Sequence, residues 1–205
     1  MTGISMILFD LNGVLYRYDR DVRIAHLARI SGLSADAVKA AVWGSGFEDA
    51  GDAGAFDAPG YLRGFGDCLG YDLPEAEWVA AQVAAVTPVA ETMALLPRLR
   101  PGVINAVLTN NNLLVERHFA DLYPEVARLV SDRAYVSAAF GVRKPDPKAF
   151  LRCLERVGVA PEETLFVDDS AANVAGARAA GLAGHEYGSA RRLEEALRKW
   201  GLLID

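Results

Sequence analysis

Soft metal-binding side chains are scarce: 205 residues contain two cysteines and three histidines. Cys68 and Cys153 lie far apart, which excludes a disulfide framework and a thiolate metal cluster and leaves two ordinary buried or half-buried thiols. His26, His118 and His185 fall in unrelated segments with no shared spacing, so surface or satisfied roles are expected rather than catalysis or metal binding. Basic residues are also short: 21 Lys and Arg against 27 Asp and Glu leave a net charge of -6, which repels a phosphodiester backbone, and no nucleic-acid partner is expected. No apolar run approaches the roughly 18 residues that a membrane span requires. The first residues, Met1 to Ser5, carry no basic stretch followed by an apolar region, so no secretory leader is read there and a cytoplasmic location is the expectation. Repeats and low-complexity tracts are absent too.

What is present is an ordinary globular composition, 52% hydrophobic and 23% charged, on a chain long enough for one core domain carrying a smaller one. Short apolar runs rich in β-branched residues, Ile4 to Leu11, Val103 to Thr109 and Thr164 to Val167, have the length of buried parallel strands. Helical spacing follows them. It runs through Leu113, Leu114, Phe119 and Leu122, then Phe150, Leu151, Leu154 and Val157 after Pro147 with Gly158 as the stop, then Val174, Ala177 and Ala180 closed by Gly181. Alternating strands and helices predict an α/β fold with a parallel sheet, whose ligands sit outside the carboxyl ends of the strands. Residues 16–91 differ. Helical stretches at Val22 to Ile30, Ala35 to Trp43 and Glu75 to Val86 surround a Gly-, Asp- and aromatic-rich segment, without a convincing buried strand, and predict an inserted helical unit. Phe47, Phe56, Tyr61 and Phe65 within it are expected chiefly to pack it.

The polar residues collect at the predicted strand ends. Asp10 leaves the first strand directly into Leu11-Asn12-Gly13, where a glycine lets the chain turn and the carboxylate project. Asp168 and Asp169 end another strand, and two adjacent acids there repel unless a hard cation such as Mg²⁺ or a hydrogen-bond network offsets them. Thr109 and Asn110 place hydroxyl, amide and backbone donors where a strand opens a helix, a favourable place for an anion. Lys144 lies in a loop stiffened by Pro145 and Pro147 and brings positive charge. Attack on phosphorus by a carboxylate needs these parts: nucleophile, divalent cation, and donors for the phosphoryl oxygens.

In this order the four segments resemble the haloacid dehalogenase-like (HAD) hydrolase superfamily, in its helical-cap subfamily: Asp10-Leu11-Asn12-Gly13-Val14, the strand ending in Thr109, Lys144-Pro145, and Asp168-Asp169-Ser170-Ala171-Ala172-Asn173. The resemblance implies a Rossmann-like parallel sheet core with helices on both faces, formed by residues 1–15 and 92–205, and an α-helical cap over 16–91 that selects substrate. It implies a Mg²⁺-dependent phosphatase acting on a small phosphorylated metabolite, with Asp10 as nucleophile and Thr109 and Lys144 binding phosphate and stabilising the intermediate. It further implies Mg²⁺ held by Asp10, the Asn12 carbonyl and Asp169, with Asp168 supporting the metal or Lys144. Asn110 is a candidate phosphate contact, and Asn173 a support rather than a ligand.

Asn12 departs from that pattern. Family phosphatases usually carry there a second Asp that protonates the leaving alcohol, and an amide has no proton to exchange near neutral pH. Losing such help costs about 10²–10⁴-fold where the leaving group needs a proton. Aryl or acyl phosphates are then favoured, or another residue or the substrate supplies the acid. Two alternatives stay open: a metal-independent 2-haloacid dehalogenase, and a catalytically weakened phosphoryl-binding or regulatory protein of the same fold. Arg143 is expected to be solvated, and Arg17 and Arg23 to reach substrate only if the first cap helix folds over the site. Nothing in the sequence selects between monomer and homodimer.

Overall fold

A computed structural model describes residues 3–204. Strand β1 (Met6–Phe9) and the short β2 (Tyr16–Tyr18) lead into five helices, α1 (Arg20–Ser31), α2 (Ala35–Lys39), α3 (Phe47–Asp52), α4 (Ala58–Leu69) and α5 (Glu75–Ala85). The chain returns through β3 (Val86–Pro88) and α6 (Ala90–Met93). Then follow β4 (Ile104–Thr109), α7 (Leu113–Arg117), α8 (Phe119–Leu122), α9 (Pro124–Val130) and β5 (Ala134–Val136). The last stretch holds α10 (Pro147–Val157), β6 (Thr164–Asp168), α11 (Ala171–Ala179), β7 (Ala183–Glu186) and α12 (Ala190–Lys199).

Five of these strands form one parallel sheet in the order β5-β4-β1-β6-β7. The central strand β1 is wholly buried because it feeds both faces. Ile7 and Phe9 enter one apolar cluster with Val107, Leu165 and Val167, while Met6 and Leu8 enter a second with Leu108, Phe166 and the α10 residues Phe150 and Leu154. Helices therefore cover both sides, which is why these strands read as unbroken apolar runs. Local signals set the helix ends: α10 starts on the Asp146 side chain with Pro147 in its first turn and stops at left-handed Gly158, and α1 starts on Asp19 and stops at Gly32. Truncating a fully buried ring such as Phe166 is expected to cost about 3–5 kcal/mol.

Helices α1 to α5 form a layer beside the Asn12 turn and Asn110, and its apolar residues Leu27, Val38 and Trp78 continue the cluster that holds Phe9 and Val107. Its interior is aromatic, with Phe47 stacked on Phe56 and Tyr61, and Tyr61 edge-on to Trp78. Packing is thus the use of these rings. The layer joins the sheet through an antiparallel ribbon, β2 paired with β3, which adds two short strands to a region where no convincing buried strand is expected. Three-residue strands are too short to show an alternating pattern, and only Tyr16 of β2 is buried. Three ties hold the layer down: the Ser137 hydroxyl donates to the Asp52 carbonyl, Arg143 pairs with Asp49, and Glu75 accepts from Arg117 and His118. No helix among the described residues is long and apolar enough to cross a membrane.

Candidate active site

Strands β4 and β6 end in the polar residues Thr109 and Asp168, and β1, which lies between them, is followed at once by Asp10 at the same edge of the sheet. Asp10 continues the β1 ladder by donating its N–H to Val167, then the chain breaks away at Gly13. Gly13 has φ +97°, and a Cβ there would lie 2.2 Å from an Asp169 carboxylate oxygen. Any side chain at 13 therefore expels Asp169 from its place beside the Asp10 turn. Asp168, the last residue of β6, is fully buried. The Ser170 N–H donates to its Oδ1, and the Asn173 amide donates to both of its oxygens.

Lys144 links the acids. Its Nζ donates to Asp10 Oδ1 at 2.6 Å and to Asp168 Oδ2 at 2.8 Å, and the residue is 3% exposed. Two contacts hold its loop. The Asn110 amide pairs both ways with the Lys144 backbone, at 2.9 Å each, and Gly176 of α11 comes so close to Pro145 that a Cβ would lie 2.0 Å from the proline carbonyl oxygen. Substituting Gly176 would push the lysine loop off the sheet edge.

The charges do not balance. Asp10, Asp168 and Asp169 each place a carboxylate oxygen within 4.8 Å of the others, against the single ammonium of Lys144. Burial, reinforced by Asp168 and opposed by Lys144, pushes Asp10 up to about 6. Burial and then Asp168 push Asp169 upward as well. Burial works to lower the Lys144 pKa, but Asp10 and Asp168 outweigh it and raise the value. Three acids and one base leave room for a divalent cation, and hard oxygen donors are what Mg²⁺ takes. The donor set fits that ion. Asp168 is already engaged by Lys144, Ser170 and Asn173, so the carboxylates of Asp10 and Asp169 are the freer ligands.

Asp10, Lys144, Asp168 and Asp169 thus meet in one cluster. Thr109 ends the adjacent strand, buried, its hydroxyl accepting from the Asn111 amide. The Asn110 side chain is spent on the Lys144 backbone rather than turned to a ligand. Asn112 caps α7. Arg143 is half-buried rather than wholly in solvent: opposite Asp49 and Asp52 of α3, it bridges the helical layer to the core. Arg17 stays exposed, whereas Arg23 is 2% exposed and lines a cavity shared with Asn12. Gln82, on the same cavity, was not anticipated. The available signal was its spacing: Arg23 lies four residues before Leu27 and Gln82 four after Trp78, placing polar groups on apolar helix stripes.

A family model described as a haloacid dehalogenase-like hydrolase matches residues 4–181. Phosphatase MT3486 of Mycobacterium tuberculosis (strain CDC 1551 / Oshkosh) is 30% identical over 187 residues, 88% of this chain and 85% of the relative. A D-ribitol-5-phosphate phosphatase of Bacteroides thetaiotaomicron is 26% identical over 178 residues, covering 83% and 85%. Among solved structures, a HAD family enzyme of Bacteroides thetaiotaomicron in complex with magnesium and inorganic phosphate superposes with a TM-score of 0.76 at 23% identity, covering 91% of this chain and 95% of that one.

Proposed function

Since the chain belongs to the haloacid dehalogenase-like hydrolase family, we propose that it is a Mg²⁺-dependent phosphatase of a small phosphorylated metabolite, working through a phosphoryl group carried on Asp10. The observation that carries this reading is the Asp10–Lys144–Asp168 chain beside Asp169, three carboxylates sharing one lysine. Relatives named as phosphatases support the phosphate ester.

The Asp10 carboxylate attacks phosphorus, forming a carboxyl O–P bond as the ester P–O bond breaks. Lys144 steadies Asp10 for the attack and, with Thr109, balances charge on the phosphoryl oxygens. Asp168, gripped by Asn173 and Ser170, positions Lys144. Asp10, Asp169 and the backbone carbonyl of Asn12 are the groups that would hold Mg²⁺. When bound, the ion neutralises phosphoryl charge and brings substrate and nucleophile together. Water then releases phosphate and restores Asp10. Asn12 can neither give nor accept the proton in these steps, so leaving groups that depart as anions ease the chemistry.

Residues 16–91 act in this reading as a cap over the site, supported by the Asp52, Asp49 and Glu75 ties to the core. The dehalogenase alternative meets an electrostatic objection: a haloacid carboxylate would enter beside three acids and one lysine, and repulsion disfavours it without a metal. Phosphate release from acetyl phosphate, measured with and without Mg²⁺, tests the proposal. We expect activity only with the metal, reduced at least ~10³-fold by Asp10→Asn. Equal activity in that variant would reject Asp10 as nucleophile.

A further inference from the structure

The Thr109 hydroxyl carries one proton, and the direction of that proton decides whether the group can donate to a phosphoryl oxygen. Thr109 is 2% exposed, and its Oγ1 accepts from the side-chain amide of Asn111 at 2.9 Å. An amide N–H can only donate, so this contact fills an acceptor position of the hydroxyl and turns the proton to the other side. Among the described residues, the Thr109 hydroxyl has no second partner.

Asn111 is held by the turn that follows β5. Its main-chain N–H donates to the Ser137 hydroxyl at 3.1 Å, and its carbonyl accepts from the Ala138 N–H at 3.2 Å. Both polar groups of its backbone are thereby fixed. Ser137 is fully buried and faces the helical layer as well: its Oγ lies 2.6 Å from the Asp52 carbonyl oxygen, against 3.3 Å from that of Asn111, so its single proton goes to Asp52. The Asp52 carbonyl ends α3, where helix carbonyls lack partners inside the helix. Gly54, just beyond, comes so near the same turn that a Cβ there would lie 2.6 Å from the Ala138 carbonyl oxygen. One buried hydroxyl therefore joins the helical layer on one side to Asn111 on the other.

Resting on the phosphatase reading, we infer that Asn111 and Ser137 are positioning residues: Asn111 sets the Thr109 hydroxyl so that its proton faces the phosphoryl group, and Ser137 couples that setting to the seated helical layer. The chain of contacts runs from the Asp52 carbonyl through Ser137 Oγ, the Asn111 backbone and the Asn111 amide to Thr109 Oγ1. With the layer lifted, the Ser137 proton has the Asn111 carbonyl as its remaining acceptor, and the backbone that carries the amide is no longer braced from the layer. The donor is then set when the layer is down and loose when it is not.

Calorimetric titration with inorganic phosphate in the presence of Mg²⁺ tests this on Thr109→Val, Asn111→Leu and the double variant. Thr109→Val removes the donor and is expected to weaken phosphate about 10-fold, the scale of one hydrogen bond to a charged group. Asn111→Leu should weaken it about 5-fold. In the double variant the loss should match that of Thr109→Val alone, because a residue that works through a hydroxyl has nothing to work through once the hydroxyl is gone. Ser137→Ala, a smaller change, carries the same cycle should Asn111→Leu fail to fold, with a loss of about 3-fold that Thr109→Val likewise abolishes. Losses that multiply to about 50-fold in the double variant, as a merely structural role would give, or unchanged affinity in folded Asn111→Leu or Ser137→Ala, would overturn the inference. The expected pattern without phosphate release from acetyl phosphate would remove the phosphatase reading and leave the positioning of a phosphate donor standing; a parent chain that binds no phosphate would overturn both.

Discussion

At the scale of single residues, Asn12 separates binding from turnover. Its amide has no proton to exchange, and the residue lines one cavity with Arg23 and Gln82. The buried Tyr123 hydroxyl, its pKa pushed up to about 12 by burial, lies by the Asn12 and Gln82 amides, which with the Arg23 charge pull that value the other way. Asn12→Asp should therefore raise kcat on alkyl phosphates by roughly 10–100-fold, with a much smaller gain on aryl phosphates, whose leaving groups need no proton. Parallel gains on both would show that proton supply is not what position 12 limits. The nucleophile was legible in sequence because an apolar strand running straight into Asp10 and Gly13 is a local pattern. Lys144 was legible through its prolines. The partners of these residues were not: the Asn110 amide on the Lys144 backbone and Asn173 on Asp168 span contacts that only folding makes. Asn110 illustrates the difference, since its sequence position offers it as a phosphate contact and does not show that its side-chain amide holds the lysine loop.

At the scale of elements, α3 carries the charge that ties the helical layer to the core. Asp52 is deep in that interface, and its carboxyl is pushed up to about 7 by burial and by Glu48, against the pull of Arg143, with Asp49 adding to the rise and Arg23 opposing it. Unfolding exposes this group to water, where it ionises near 3.8. Between those values the folded chain binds more protons than the unfolded one, so stability falls as pH rises from about 4 to about 7 and the loss is complete above that. Asp52→Asn removes the titration. Thermal melts from pH 4 to pH 8 should find the variant gaining on the parent as pH rises, and parallel profiles would refute this account of the interface. Arg143 took part unseen by sequence reasoning because an arginine in a polar loop looks solvated until a second element is laid over it. The strands β5 and β7 were missed for a related reason. They hold three and four residues, and β7, Ala183–Glu186, is half-exposed with Gly184 and His185 inside it, so neither apolar run nor alternation marks it.

At the scale of the whole molecule, a parallel sheet brings the ends of strands far apart in sequence to one edge, and this is where the parallel reading of three apolar runs had most reach. Asp10 and Asp168 are 158 residues apart and share one lysine. Their repulsion is built into the fold, so a divalent cation should stabilise the native chain. At about 100-fold excess over its dissociation constant, Mg²⁺ is expected to contribute ~2.7 kcal/mol, a rise in Tm of roughly 5–10 °C, and less in Asp10→Asn. A Tm indifferent to Mg²⁺ would contradict the metal assignment.

The central claim is that phosphorus becomes bonded to Asp10. Intact mass spectrometry of the Asn12-containing chain after mixing with acetyl phosphate and Mg²⁺, followed by peptide mapping, tests it most directly. One acid-stable, base-labile phosphoryl adduct on Asp10, absent in Asp10→Asn, is the predicted result; an adduct on another residue, or steady phosphate release from a chain that still turns over after Asp10→Asn, would contradict it.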